Sequence, residues 1–108
     1  MTDLTIDVKT DKATYSYKGF DIDSDNWNTV AGNYLFTYKA SNGKWTILYA
    51  GITENFKERF ADHERIDEAK KLGATHIFAH VNKNANARSS EEEDIIGYYQ
   101  PRMNDKHK

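Results

Sequence analysis

Two short runs rich in aromatic and β-branched residues lie close together near the middle of the chain. They read "NYLFTYKA" (33–40) and "KWTILYA" (44–50), and only "SNG" separates them. Such runs favour β-strands, and an Asn-Gly pair favours the tight turn that joins two antiparallel strands. The sequence therefore predicts a β-hairpin here, and the rest of the fold has to pack around it.

The segments on either side predict more strands and two helices. "LTIDVKT" and "ATYSYKG" alternate loosely around the polar pair "DK" and predict another hairpin between residues 4 and 20, before a loop rich in Asp and Asn. Thr53 is expected to cap a first helix, and "ERIDEAKKLG" predicts a second helix that stops at Gly73. "THIFAHV" predicts a strand after it.

A last helix is expected before Pro101. Its predicted cap is Ser89 or Ser90, since each has a glutamate three residues later, as in a capping box. The order of elements predicts an α+β fold in which a small antiparallel or mixed central sheet is flanked by helices. We expect one compact domain, with residues 1–30 forming an extra N-terminal β-hairpin and loop and residues 31–108 forming the main unit.

Composition excludes several classes of function. The 108 residues carry a net charge of −2, whereas proteins that coat nucleic acid are usually basic, so any contact with nucleic acid should be local. The chain has no cysteine for a disulfide or a thiolate metal site. It shows neither an apolar run long enough to span a membrane nor a signal-peptide pattern, so we expect an intracellular, cytoplasmic protein without membrane association.

Two basic side chains interrupt the apolar face of the first predicted helix. Phe56, Arg59, Phe60 and His63 follow the spacing i, i+3, i+4 and i+7. Residues at this spacing share one face of a helix. A guanidinium and an imidazole are therefore expected on the same side as two rings that favour burial.

On the last predicted helix a carboxylate occupies the apolar face. Glu92 has the same spacing relative to Ile95, Ile96 and Tyr99, whereas Glu91 is expected to point elsewhere. A carboxylate that faces inward is costly unless it is paired, hydrogen-bonded or bound to a metal. Both helices therefore predict charge on a face that should be apolar.

If the two faces meet over the sheet, Arg59, His63 and Glu92 converge in one cleft suited to phosphate chemistry. The carboxylate would hold a hard divalent cation, and the guanidinium would stabilise charge on phosphoryl oxygens. Each residue also has a structural alternative. Arg59 can lay its stem over Phe56, His63 can interact with the helix C-terminus, and Glu92 can serve the first helical turn.

Four segments, in this order, resemble the GIY-YIG nuclease superfamily. "GNY" (32–34) and "YAG" (49–51) resemble its two name-giving tripeptides, and "ITENFKERFADH" resembles its arginine-bearing helix. "EEDIIGYYQPRMN" (92–104) resembles its glutamate-bearing helix and the Pro-x-x-Asn segment that follows. The resemblance covers residues 31–104 and implies a compact, GIY-YIG nuclease-like fold and a metal-dependent endonuclease that hydrolyses phosphodiester bonds in nucleic acid.

The resemblance also implies roles for individual residues. It implies five catalytic residues: Tyr34, Tyr49, Arg59, His63 and Glu92. Of these, Glu92 would be the metal ligand, with Mg²⁺ or Mn²⁺ as the cofactor. Arg88 and Asn104 match positions that bind substrate or brace the site. One departure concerns Ile52, because some members of the superfamily have a lysine just after the second tripeptide and this chain has no cation there.

The sequence leaves two alternatives for the general base, a tyrosine or a histidine. The resemblance implies that Tyr34 positions or deprotonates the attacking water, with Tyr49 adjacent. The reference pKa of tyrosine, about 10, is too high for a base at neutral pH, but Arg59 and a metal nearby should lower it. His63 is the alternative base, because its reference pKa of about 6.5 starts in the useful range.

Three functional hypotheses follow for the whole chain. The first is a nuclease that acts on DNA, and the second is a nuclease that acts on RNA. The third, which Ile52 and the low charge favour, is a catalytically retired module that binds nucleic acid or a protein partner. Because the acidic balance argues against strong autonomous binding to DNA, a second copy of the chain or another protein is an expected partner.

Overall fold

A computed structural model describes residues 4–107 of the chain. The strands are β1 (Leu4–Lys9), β2 (Thr14–Asp21), β3 (Gly32–Lys39), β4 (Trp45–Thr53) and β5 (His76–Val81). The helices are α1 (Phe56–Ala61), α2 (Ile66–Lys71) and α3 (Ala85–Tyr99), and a 3₁₀ segment follows at Arg102–His107. Among the described residues, no helix is both long and apolar enough to cross a membrane.

The strands form one antiparallel sheet in the order β1-β2-β5-β3-β4. The predicted α+β class is confirmed, and the sheet is antiparallel rather than mixed. The N-terminal hairpin lengthens this sheet, because β2 pairs with β5 from Lys18 opposite Ala79 to Asp21 opposite His76. The two ends of the order, β1 and β4, are the edge strands.

Side chains of β3 alternate between two cores on opposite faces of the sheet. Tyr34 and Phe36 belong to the core that includes Phe56 of α1, and this side is called the α1 face. Leu35 belongs to the core that includes Ile95 of α3, and this side is called the α3 face. The expectation that the charged faces of the first and last helices meet over one side of the sheet is therefore wrong. Both sides of β3 carry apolar residues, so each side requires its own helical cover.

The segment after α3 passes round the β4 edge and links the two faces. The Ala50 N–H donates to Asn104 Oδ1 at 2.8 Å, and Asn104 Nδ2 donates to the Ala50 carbonyl at 3.0 Å. One side chain thereby satisfies edge groups that would otherwise lack a strand partner. Met103 is buried in the α1-face core, and its carbonyl accepts a hydrogen bond from Arg65 Nη2.

Both asparagine caps differ from the predicted ones. Asn55 caps α1 by accepting a hydrogen bond from the Glu58 N–H, while Thr53 accepts from the Asn55 N–H just before the helix. Asn84 caps α3 by accepting from the Ala87 N–H, so the predicted serine caps lie inside the helix. In α3 an asparagine that precedes the predicted serines offers the same kind of acceptor earlier in the chain, so that helix begins there, whereas in α1 the cap lies two residues after Thr53.

Candidate active site

Four of the predicted catalytic side chains gather on the α1 face. The rings of Tyr34 and Tyr49 have centroids 6.1 Å apart, and the Tyr34 hydroxyl lies 2.8 Å from His63 Nε2. Arg59 joins them from α1, close enough to interact with the Tyr34 hydroxyl. His63 lies beyond the end of α1 at Ala61 rather than on the helix, yet it remains buried on this face.

Strand pairing sets how closely Tyr34 approaches β4. Tyr34 lies opposite Gly51, and a Cβ added at Gly51 would stand 2.5 Å from Tyr34 Cζ and 2.6 Å from its hydroxyl oxygen. Any larger residue at position 51 would therefore displace the tyrosine ring. The glycine of the second tripeptide is required here for space, because the phenol lies directly on the strand backbone.

The hydrogen bonds of His63 define its tautomer. The Arg65 backbone N–H donates to His63 Nδ1 at 3.1 Å, so Nδ1 is an acceptor and the proton of the neutral ring resides on Nε2. That Nε2–H then donates to the Tyr34 hydroxyl oxygen at 2.8 Å. Burial, aided by Arg59, lowers the pKa of His63 from 6.5 to about 4, so the ring is neutral at neutral pH. Both ring nitrogens are engaged, which suits positioning of Tyr34 better than proton abstraction from water.

The pKa of Tyr34 moves against the expectation. Burial raises the pKa most and Tyr49 raises it further, while Arg59 lowers it. The predicted effect of Arg59 has the right sign, but desolvation outweighs it because the ring is only 1% exposed. Tyr34 therefore holds its proton at neutral pH. Since its oxygen accepts from His63, its own O–H is directed elsewhere.

Arg59 is held by an exposed carboxylate. Arg59 Nη1 donates to Glu64 Oε1 at 2.9 Å and Nη2 donates to Oε2 at 3.2 Å, which is a bidentate pair. The guanidinium lowers the pKa of Glu64 to about 2. Glu64 is exposed, so a phosphate that approaches from solvent can compete with it for the same donors. The resting site thus contains a replaceable anion.

The buried carboxylate of α3 is Glu91, not the predicted Glu92. Glu91 is 4% exposed, and its Oε2 accepts from the Tyr17 hydroxyl and lies 2.9 Å from His80 Nδ1. Asn82 Nδ2 donates to its Oε1 at 3.4 Å. The prediction that Glu91 points away from the core is wrong, because β2 and β5 supply hydrogen-bond partners that make burial of this carboxylate tolerable.

Glu92 lies at the flank of α3 and is only partly exposed. It makes no hydrogen bond or ion pair with any residue that the structure describes. Burial raises its pKa most, and Glu93 adds to the effect. Helix α3, which carries Glu92, packs on β4 and β3 from the side of the sheet opposite the Tyr34 cluster, so Glu92 does not join that cluster.

The described side chains are compatible with a cation held by one carboxylate. Among the side chains that the structure describes, no group of three or more His, Asp or Glu is placed to hold a metal ion. A single partly desolvated carboxylate without a protein partner, as at Glu92, nevertheless suits Mg²⁺, which keeps several water ligands and is often bound through one or two carboxylates.

Arg88 and Asn104 both make bracing contacts. Arg88 is buried, and its Nη1 donates to the Asn82 carbonyl at 3.0 Å, so its guanidinium holds the loop before α3 rather than facing solvent. Asn104 holds Ala50, the residue next to Tyr49. These contacts support bracing for both residues, and their assignment to the site remains a prediction.

The sequence reasoning missed Arg65. Its guanidinium carbon lies 5.1 Å from the centroid of the Tyr49 ring, and its backbone N–H sets the tautomer of His63. It supplies a cation on the α1 face of a chain that has Ile52 where some superfamily members have a lysine. The missed signal is weak, because Arg65 falls near the start of the second predicted helix, where a single arginine forms no functional pattern.

No protein-family model and no curated protein matches this chain. Among solved structures, it is similar to the GIY-YIG N-terminal endonuclease domain of UvrC from Thermotoga maritima, seen in two point mutants, each bound to the catalytic divalent cation. Both have a TM-score of 0.59, with 17% and 18% identity, and the match covers 72% of this chain and 86% of that chain. The described residues therefore adopt a GIY-YIG nuclease-like fold, as the ordered tripeptides predicted.

Proposed function

We propose that the protein is a metal-dependent endonuclease that hydrolyses phosphodiester bonds in nucleic acid. One observation carries the proposal: on this fold, Arg59 reaches a buried Tyr34 whose hydroxyl is already oriented by His63. The UvrC domain that shares the fold is an endonuclease bound to a divalent cation, which supports the same chemistry here. The likeness in fold alone does not assign the activity, so the proposal depends on these side chains.

Glu92 is the proposed metal ligand, with Mg²⁺ or Mn²⁺ as the cofactor. Its carboxylate is partly desolvated and has no protein partner among the described residues, and a cation would relieve both conditions. When bound, such an ion polarises the scissile phosphate and stabilises the leaving oxygen.

Arg59 is proposed to stabilise the charge that develops on the phosphoryl oxygens. It must first exchange Glu64 for phosphate, and the exposed position of Glu64 allows that exchange. Tyr34 is proposed to position the attacking water through its own O–H, since its oxygen accepts a hydrogen bond from His63. A role as general base requires the charge of Arg59 and of the cation to overcome the raised pKa of Tyr34.

We propose DNA as the substrate, with RNA as the alternative in the test. A chain with a net charge of −2 gains little from a general attraction to phosphates, so its contacts must be concentrated at the site or shared with a second copy or another protein. The first experiment is cleavage of supercoiled plasmid by the purified protein in Mg²⁺, Mn²⁺ or EDTA, in parallel with a labelled RNA of mixed structure.

The matched pair Glu92→Gln and Glu93→Gln makes this experiment specific. Both variants remove one negative charge from neighbouring residues of α3, but Glu93 is exposed. We expect metal-dependent nicking that is lost in Glu92→Gln and retained in Glu93→Gln. Nicking that survives in Glu92→Gln, or that is lost equally in both variants, would remove Glu92 from the proposal. Mg²⁺ should also raise the melting temperature of the wild type and of Glu93→Gln, but not of Glu92→Gln.

A catalytically retired module that binds nucleic acid or a protein partner is the second candidate. Two observations favour it: Ile52 brings no charge, and Glu64 neutralises Arg59 at rest. This candidate predicts a folded protein that binds nucleic acid yet cleaves neither plasmid, single strands, branched DNA nor RNA in either metal. Cleavage that depends on Glu92 would exclude it.

A further inference from the structure

A pocket on the α1 face adjoins the candidate active site. It opens between β2, the loop that follows β2, and β5. Its volume is about 230 Å³, smaller than the ~300–1,000 Å³ typical of drug-sized ligand sites. Phe20, Trp27, Val30 and Val81 form its apolar wall. The space and its lining suit one flat ring system rather than a large ligand.

The aromatic wall is rigid and remains partly uncovered. Trp27 Nε1 donates to the Ser24 carbonyl at 2.9 Å, and the Trp27 ring meets Phe20 at a centroid distance of 4.9 Å. Val81, at the end of β5, is 54% exposed. Fixed aromatic faces beside open solvent are the surfaces on which unpaired nucleobases stack in proteins.

Polar side chains that could contact a base or a phosphate line the same pocket. Lys18, Asn26 and Asn28 line the pocket, and no carboxylate of the described residues does. The side-chain amides of Asn26 and Asn28 make no hydrogen bond with the residues that the structure describes. An amide can donate to and accept from the edge of a base, and an ammonium attracts phosphate. The pocket therefore combines a stacking wall, base-reading groups and a cation in a chain that is acidic overall.

The pocket is one ring away from the catalytic cluster. Trp27 lies 4.5 Å from Phe60, and Phe60 lies 4.9 Å from Tyr34, as centroid distances. Phe56, which also lines the pocket, belongs to the same helix as Arg59. A nucleotide in the pocket would therefore be close to the phosphate at the site.

We infer that the pocket receives an unpaired nucleobase of the substrate, next to the phosphate that is cleaved. The inference rests on the proposed function and extends it: the preferred substrate has a single-stranded nucleotide at the cleavage point. It also gives the N-terminal hairpin and its loop a function, because Phe20 and Trp27 come from that part of the chain. Stacking on these rings compensates for the weak general attraction to phosphates.

The test measures binding in EDTA, where no cleavage occurs. The probe is a labelled oligothymidylate, compared with a DNA hairpin of equal length. The chain has two tryptophans, so a Trp45→Phe background leaves Trp27 as the fluorescent reporter. Val81→Glu places a charge in the pocket, and Thr5→Glu makes the same charge change at an exposed position of β1. Thermal unfolding shows whether each variant folds.

We expect the single strand to quench Trp27 and to bind more tightly than the hairpin. Val81→Glu should weaken its binding by about tenfold or more, the scale of losing one stacked base, and Thr5→Glu by about twofold or less. A double variant with Asn26→Ala and Asn28→Ala removes only exposed amides, and it should change the preference among homopolymers. Equal binding by Val81→Glu and Thr5→Glu, or an unquenched Trp27 at saturation, overturns the inference.

Plasmid nicking by the same proteins separates this result from the proposed function. Nicking in Mg²⁺ or Mn²⁺ without pocket-dependent binding would reject the nucleobase site and leave the proposed nuclease function in place. Pocket-dependent binding without cleavage of any substrate would reject the nuclease function and leave the nucleobase site in place.

Discussion

The two faces of the sheet carry polar clusters that look alike and differ in one charge. On the α1 face, Tyr34 meets His63 and the cation Arg59. On the α3 face, Tyr17 meets His80 and the anion Glu91, with ring centroids of Tyr17 and His80 5.5 Å apart. Each cluster thus holds a buried phenol, an imidazole and one guanidinium or carboxylate partner.

The charge of that partner determines what each cluster can do. Glu91 is buried and accepts hydrogen bonds from the neighbouring groups, so the α3-face cluster is closed and anchors α3 to β2 and β5. Arg59 is only partly covered, and its partner Glu64 is exposed and replaceable. A saturated network stabilises the fold, whereas an open one with an exchangeable anion can bind phosphate. The comparison therefore gives the Tyr17 cluster a structural role and, under the proposed function, gives the Tyr34 cluster the contact with phosphate.

The strongest test of this comparison is to replace the tyrosine of each cluster by phenylalanine. The larger effect on cleavage is expected for Tyr34 on the α1 face. Tyr34→Phe removes the hydroxyl that His63 orients, so we expect cleavage to fall about 100-fold or more. The free energy of unfolding should change by no more than about 1 kcal/mol, because a neutral hydrogen bond is lost and the ring remains. Plasmid nicking rates and urea unfolding measure the two quantities.

Tyr17→Phe should give the opposite result. It removes a hydrogen bond to a buried carboxylate, so we expect the free energy of unfolding to fall by about 1.5–3 kcal/mol. Cleavage by the folded protein should change by about threefold or less, since Tyr17 lies on the other face of the sheet. If Tyr17→Phe reduces cleavage as strongly as Tyr34→Phe, the division between the two faces is wrong.

The two clusters also show which features of the structure could be predicted from the sequence. The ordered tripeptides predicted the fold, and local strand and helix patterns placed Tyr34, Tyr49 and Arg59, whereas His63 reaches them from beyond the end of α1. The orientation of Glu91 was mispredicted, because helical periodicity counts apolar side chains and does not see partners on distant strands. Tyr17 lies 74 positions away in sequence, and only the pairing of β2 with β5 brings it beneath α3.

The stability of the protein at acid pH should reveal the buried, neutral state of His63 in the Tyr34 cluster. Its pKa is about 4 in the folded protein and about 6.5 in the unfolded chain, so between these values the unfolded chain binds a proton that the folded protein does not. Stability should therefore be unaffected by His63 above pH ~6.5 and should fall as the pH drops towards ~4. We expect a loss of about 2 kcal/mol, from ~1.4 kcal/mol per pKa unit reduced for partial access to water.

His63→Gln keeps a polar side chain that does not titrate, so the difference between its unfolding curve and that of the wild type isolates this contribution. Urea unfolding at pH 7, 6, 5 and 4 would measure it. The wild type should lose more stability than the variant over this range. Parallel curves would mean that His63 has the same pKa in the folded and unfolded states, which would contradict its burial as a neutral ring.

The smallest expected effect tests whether the α1-face cluster is open. Glu64→Gln removes the anion that holds Arg59, so phosphate no longer has to displace it, and we expect KM to fall by about two- to fivefold. The gain should shrink as salt screens the pair. Glu58→Gln is the matched control, because it removes the same charge from an exposed position of α1 without freeing Arg59. Equal gains in both variants would reflect net charge alone, whereas a gain confined to Glu64→Gln would show that Arg59 alternates between its own carboxylate and the substrate.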